Sequence, residues 1–215
     1  MTSMPSAPDS DCALCPRLAA YRSQNRAQFP DKFNAPVPSF GPVDARLLIV
    51  GLAPGLKGAN FTGRPFTGDY AGYLLYPMLA AFGFTRGVFD ARADDGLELV
   101  NCRITNAVRC VPPQNKPLPE EERACRPFLE GEFARLAHVR VVLAQGLVAH
   151  NAVLKALGVK LSACKFVHGA VHQLPGGRVL VDTYHTSRYN TNTGRLTEAM
   201  FRAVIAQCRD LVDRI

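Results

Sequence analysis

No stretch of this chain approaches the ~20 consecutive apolar residues that a membrane-crossing helix needs, so no bilayer span is expected. The opening segment, Met1-Thr2-Ser3-Met4-Pro5-Ser6, lacks the basic and apolar regions of a signal peptide, which leaves the cytoplasm as the expected compartment. The phosphate-loop pattern Gly-x4-Gly-Lys-Ser/Thr is missing, because Lys57 is followed by Gly58 and Ala59. Nor does the spacing of Gly51, Gly55 and Gly58 match a dinucleotide fingerprint, so ATP and NAD sites are excluded there. No internal repeat and no clear domain boundary is found. Seven cysteines without a leader do not make a disulfide scaffold.

What is present fits one sizeable domain. The 215 residues suffice for a single core, and a hydrophobic fraction of 47% argues for a globular chain. Residues 1–10 are small, polar and proline-bearing and read as a disordered N-terminus, with residues 11–215 as one domain. The net charge of +7 favours polyanionic partners, although such an excess also serves solubility alone. Apolar runs at 46–50, 100–105 and 139–144 read as buried strands, with two shorter ones at 165–167 and 178–181. Helical spacing covers 12–27, 71–82, 119–136, 147–157 and 197–211. Strands alternating with helices imply a mainly parallel sheet covered on both faces.

The cysteines fall into two groups. Cys102, Cys164 and Cys208 lie inside apolar segments and read as buried thiols. Cys12, Cys15, Cys110 and Cys125 occupy loop or helix-end contexts as Cys-x2-Cys and Cys-x14-Cys. Two such pairs supply four soft ligands, suited to tetrahedral zinc or to a 4Fe–4S cluster. The competing reading is a redox Cys-x-x-Cys with two unrelated cysteines.

Two segments more than a hundred residues apart carry the candidate chemistry. Gly51-Leu52-Ala53-Pro54-Gly55 through Gly68-Asp69 follows the first strand, where open α/β sheets place ligand sites. Its glycines let backbone N–H groups approach a ligand, and an ordinary strand-to-helix turn has the same composition. Phe66 offers an aromatic face for a base, or a core side chain. Asp69, on the same loop, reads as a surface carboxylate or a helix N-cap. Asn106, at the end of the second strand, can match a base edge or cap a turn. His185 stands out from His138, His150, His168 and His172 by the polar run after it. That run, Thr186-Ser187-Arg188-Tyr189-Asn190-Thr191-Asn192-Thr193-Gly194, suits phosphate and sugar contacts and equally a solvated loop. His172 has no polar sequence neighbourhood.

Read together, Gly-Leu-Ala-Pro-Gly, Gly-Arg-Pro-Phe-Thr-Gly-Asp, Thr-Asn-Ala-Val-Arg-Cys and His-x-Ser with Asn-Thr-Asn-Thr-Gly-Arg-Leu-Thr resemble the uracil-DNA glycosylase superfamily. The nearest branch is type B (family 5), prokaryotic enzymes with an iron–sulfur cluster, and the resemblance runs in order from Cys12 to Thr197. It implies a three-layer α/β/α fold with a central four-stranded mainly parallel sheet. It implies 4Fe–4S ligation by Cys12, Cys15, Cys110 and Cys125. It implies a nucleotide pocket built from Gly51, Ala53 and Gly55, with base stacking by Phe66, base reading by Asn106, and catalysis by Asp69 and His185. DNA contacts then fall to Ser187, Arg188, Tyr189 and Asn190, the second and third as a wedge filling the vacated stack.

The resemblance implies a monofunctional DNA repair enzyme that hydrolyses the N-glycosidic bond of uracil, and of deaminated purines such as hypoxanthine or xanthine. A monomer acting on DNA at the nucleoid is expected. The competing classes are a damaged-DNA-binding protein, non-catalytic or trapping the abasic site, and an iron–sulfur redox protein. Two departures stand out. His185-Thr186-Ser187 replaces the usual His-Pro-Ser, which predicts a less rigid loop, and Pro54-Gly55 replaces the Pro-Ala common in type B.

Overall fold

A computed structural model describes residues 7–214. The order along the chain is α1 (Pro16–Gln28), β1 (Leu47–Gly51), α2 (Ala59–Thr62), α3 (Tyr70–Ala81), β2 (Thr85–Arg86), β3 (Glu98–Leu99) and β4 (Cys102–Asn106). Then come α4 (Pro119–Arg135), β5 (Val141–Gln145), α5 (Leu147–Ala156), β6 (Val171–Leu174), β7 (Arg178–Thr183), α6 (Arg188–Asn192) and α7 (Glu198–Asp213). The main sheet has the order β4-β1-β5-β7-β6. Its first four strands are parallel, and β6 adds an antiparallel edge to the four-stranded arrangement expected.

Period-two alternation splits the strand side chains between two cores. Leu47, Ile49, Val141, Leu143 and Val181 face α3 and α7, where Leu75, Leu79, Phe201 and Ile205 pack. Leu48, Val50, Val142, Ala144 and Leu180 face α4 and α5, against Leu129, Phe133 and Val153. The sheet is therefore covered on both faces, and the near-continuous apolar runs of β1 and β5 follow from that. Helix starts are fixed locally: Pro119 opens α4, and Thr197 accepts from the Met200 N–H at 3.2 Å to open α7.

Several expectations are corrected. Residues 165–167 form no strand; Gly169 turns with φ +78, and pairing begins only at Val171. The polar run after His185 is not an open loop, since Ser187 accepts from the Asn190 N–H at 3.4 Å and opens the short α6. Of the N-terminal segment, residues 1–6 lie outside the described residues. Asp9 and Ser10 are tied in, because their carbonyls accept from the Cys12 N–H at 3.1 Å and from Arg26 at 2.9 Å.

Candidate active site

Parallel strands align their C-terminal ends, so Asn106, Gly51, Gln145 and Thr183 form a row along one edge of the sheet. Above this row opens a cleft of about 660 Å³. Ala53, Gly55, Phe66, Asp69, Asn106, His185, Ser187 and Arg188 all line it, so the segments singled out in the sequence converge. Gly51 lies just behind the wall. A Cβ there would sit 2.4 Å from Asn106 Oδ1 and 2.8 Å from Phe66 Cζ, so its bare backbone is what lets those two groups approach. Tyr189 and Asn190 do not line the cleft. Tyr189 is 72% exposed on α6, while Asn190 Nδ2 donates to the His185 carbonyl at 2.8 Å and supports the loop from behind.

The glycine-rich loop holds Phe66 in the left-handed region, with φ +53. A non-glycine residue persists there only when its surroundings over-determine it. Tyr76 Oη donates to the Pro65 carbonyl at 2.6 Å, and Arg64 donates to Thr67 Oγ1 at 2.7 Å. Both Arg64 terminal nitrogens then bond Asp95 at 2.7 Å, an ion pair buried at both ends. Gly72 completes the clamp, because a Cβ there would lie 1.9 Å from the Phe66 carbonyl oxygen.

Asp69 precedes α3 at the N-cap position, yet its side chain makes no cap hydrogen bond. Its carboxyl lies against the loop instead: Cβ atoms built on Gly58 and Gly55 would meet Oδ2 at 2.4 and 3.1 Å. Oδ1 is buried without a partner. Burial raises the Asp69 pKa, against the pull of the nearby Gly72 and Ala71 N–H groups. His185 goes the other way. Burial against the cleft wall pushes its imidazole down to about 4, so the ring is neutral at pH 7. The ring lies 6.0 Å from that of Phe66 between centroids, 29° from parallel. Among the described residues, neither the His185 ring nor the Asn106 amide forms a hydrogen bond within the chain, so both are free for a ligand.

Thr186, where proline was usual, is fully buried and donates from Oγ1 to Gln145 Oε1 at 3.0 Å. The Asn190 bond ties the histidine loop at one point, and the Thr186 bond, which proline could not make, ties it at a second. Gln145, Lys57, Asn115 and Tyr70 also line the cleft and were not anticipated. Gln145 ends an apolar run, and only its partner 41 positions away reveals it as more than a strand terminus.

Cys12, Cys15, Cys110 and Cys125 gather in one apolar cluster with Leu18, Val108 and Phe128. The segments bearing the two pairs are also tied by Arg17, two residues after Cys15, which donates to both Glu121 carboxylate oxygens of α4 at 2.7 and 2.8 Å. A buried guanidinium and a backbone N–H stand beside the thiols. Arg22 Nη1 lies 3.6 Å from Cys110 Sγ, its Nε is without a partner, and the Arg109 backbone N–H donates to Cys125 Sγ at 3.3 Å. Burial pushes the Cys15 thiol up to about 11 and Cys125 up to about 12, with neighbouring cysteines adding to both.

Among the described residues, the one group of three or more metal-type donors within 4.8 Å of one another is His150, His172 and Asp182. Asp182 accepts from His150 at 2.7 Å and His172 at 3.0 Å, a saturated tie joining α5 and β6 to β7. His172 therefore does have a polar partner, contrary to the sequence reading; the partner lies across the β6–β7 pair.

The chain matches the family model described as "Uracil DNA glycosylase superfamily" over residues 38–209. It is 48% identical over 205 residues to a type-5 uracil-DNA glycosylase of Thermus thermophilus, covering 93% of each chain. A type-5 uracil-DNA glycosylase of Mycobacterium leprae is 41% identical over 94% of this chain and 92% of its own. One of Pyrobaculum aerophilum is 42% identical over 87% of this chain and 83% of its own.

Proposed function

The chain belongs to the uracil-DNA glycosylase superfamily, in its type-5 branch, and from that premise we propose that it excises uracil from DNA by hydrolysing the N-glycosidic bond. One observation carries the assignment of roles. A neutral, unpartnered imidazole and a carboxyl with one unpartnered oxygen line the same cleft as an aromatic ring and a free amide. Base excision needs these four parts, since the target must leave the duplex stack and enter a pocket before its bond breaks.

As the bond between C1′ and the base nitrogen lengthens, its electron pair goes to the base and positive charge gathers on the sugar. Phe66 supplies the stacking face lost on leaving the duplex, and Asn106 pairs with the base edge. His185, neutral at pH 7, donates a hydrogen bond to the base carbonyl on which negative charge builds. The Asp69 carboxylate steadies the sugar cation and takes a proton from the attacking water. Leu52, Ala53 and Pro54 offer no side chain to activate that water, so the role falls to Asp69. The apolar first motif also leaves room for deaminated purines such as hypoxanthine.

The four cysteines suit a 4Fe–4S cluster. Zinc–thiolate bonds of ~2.3 Å would bring all four sulfurs within ~4 Å of each other, whereas no three of these thiols lie within 4.8 Å of one another. The buried Arg22 guanidinium beside Cys110 and the Arg109 backbone N–H that donates to Cys125 match an anionic centre. Bound there, the cluster would hold the segment between Cys110 and Cys125, including the cleft residue Asn115, in shape. The wedge is assigned to Arg188, which lines the cleft with its guanidinium 5.2 Å from the Tyr70 ring, and to Tyr189, exposed outside the cleft on the same helix.

The test is alkaline cleavage of uracil-containing oligonucleotides after incubation with the purified protein. Strand scission at the uracil position is expected. Tight binding without scission would favour a damage-binding protein instead.

A further inference from the structure

Gln145 ends β5, the strand between those bearing Gly51 and Thr183, so it stands mid-row beneath the cleft that it lines. It is 1% exposed. Its amide is half used. Oε1 accepts from Thr186 Oγ1 at 3.0 Å and faces the Thr186 backbone N–H at 3.5 Å. Nε2 is shielded from water and has no partner. A backbone N–H can only donate, so flipping the amide would set two donors face to face. Nε2 is thereby fixed as a donor, with two unmet N–H groups in a ligand-binding wall, and such groups in a native interior call for a partner.

We infer that Gln145 selects the base: its Nε2 donates to a carbonyl oxygen of the everted base, and Thr186 pins the amide so that only a donor is presented. The inference rests on the excision reading above and adds a filter to it. Asn106 has no such pin, and a free amide can turn to offer either oxygen or NH2. Deamination converts an exocyclic amino group into a carbonyl. A donor-only amide accepts the carbonyl and opposes the amino N–H, so deaminated bases are kept and cytosine or adenine is turned away.

The experiment measures affinity for two single strands that resist cleavage, one with 2′-fluoro-2′-deoxyuridine and one with 2′-fluoro-2′-deoxycytidine. Uracil release and thermal unfolding are followed in parallel. Wild-type protein should prefer the uridine strand, and Gln145→Leu should lower that preference roughly tenfold, the worth of one neutral hydrogen bond. Thr186→Val should also lower it, by freeing the amide to turn, and decides the matter if Gln145→Leu does not fold. An unchanged preference in folded variants, or an equal loss for both strands, overturns the inference while leaving excision intact. A wild-type protein that neither releases uracil nor prefers the uridine strand would sink the excision reading itself.

Discussion

Replacing Gly51 with alanine tests whether the cleft depends on a backbone approach as close as the structure indicates. The added Cβ would lie 2.4 Å from Asn106 Oδ1 and 2.8 and 3.1 Å from Phe66 Cζ and Cε2. Asn106 cannot retreat as a whole, because it is paired to Gly51 in the β1–β4 ladder. Phe66 cannot either, with its carbonyl against Gly72 and its loop clamped by Arg64 and Tyr76. The two side chains must therefore swing by about 1 Å, and misplacement on that scale costs on the order of 10²-fold in rate. Overpacking of this kind also destabilises by about 1–3 kcal/mol. In a chain of this size that lowers the melting temperature by roughly 2–12 °C. Single-turnover uracil release, measured well below the variant's melting temperature, should fall about a hundredfold, with affinity for undamaged DNA nearly unchanged. Release within threefold of wild type would refute the reasoning.

Asp95→Asn breaks the buried pair with Arg64 and should cost about 3–5 kcal/mol, read by thermal denaturation. Arg64 holds the Asp95 carboxyl well below the usual carboxylate range, so this stability is present above pH ~3.9 and fades as pH falls below it. Uracil release should decline on the acid side at a pH above the ordinary aspartate value, because Asp69, raised by burial, loses its charge there; Asp69→Asn should abolish that limb in a pH–rate profile. His185 is neutral above about 4 and adds no limb near neutrality. Protein purified without oxygen should be brown with broad visible absorbance, and Cys110→Ser should lose the colour; a colourless protein holding one zinc ion would contradict the cluster.

Much of the site was legible because its residues sit at ends of strands whose apolar runs are unmistakable. Leu47-Leu48-Ile49-Val50 places Gly51 and its loop, and the run ending at Thr105 places Asn106. The edge strand Val171–Leu174 was harder to place, since edge positions alternate polar with apolar and its start depends on the turn at Gly169. The two-residue hairpin of β2 and β3 carries no periodicity to read. Pairs such as Gln145 with Thr186, or Asp182 with His150, exist only once distant segments meet, and neither partner carries a local signal. Tyr189 and Asn190 share the composition of the histidine loop, but the turn of α6 directs them away from the cleft that Ser187 and Arg188 line.

The pairing of one imidazole with one carboxyl across a shared cleft is tested most directly by single-turnover uracil release from Asp69→Ala and His185→Ala, alongside their affinity for the uncleavable uridine strand. Release should fall by ~10²–10³-fold in each while that affinity stays within a fewfold of wild type. Near-wild-type release in either variant would contradict the account.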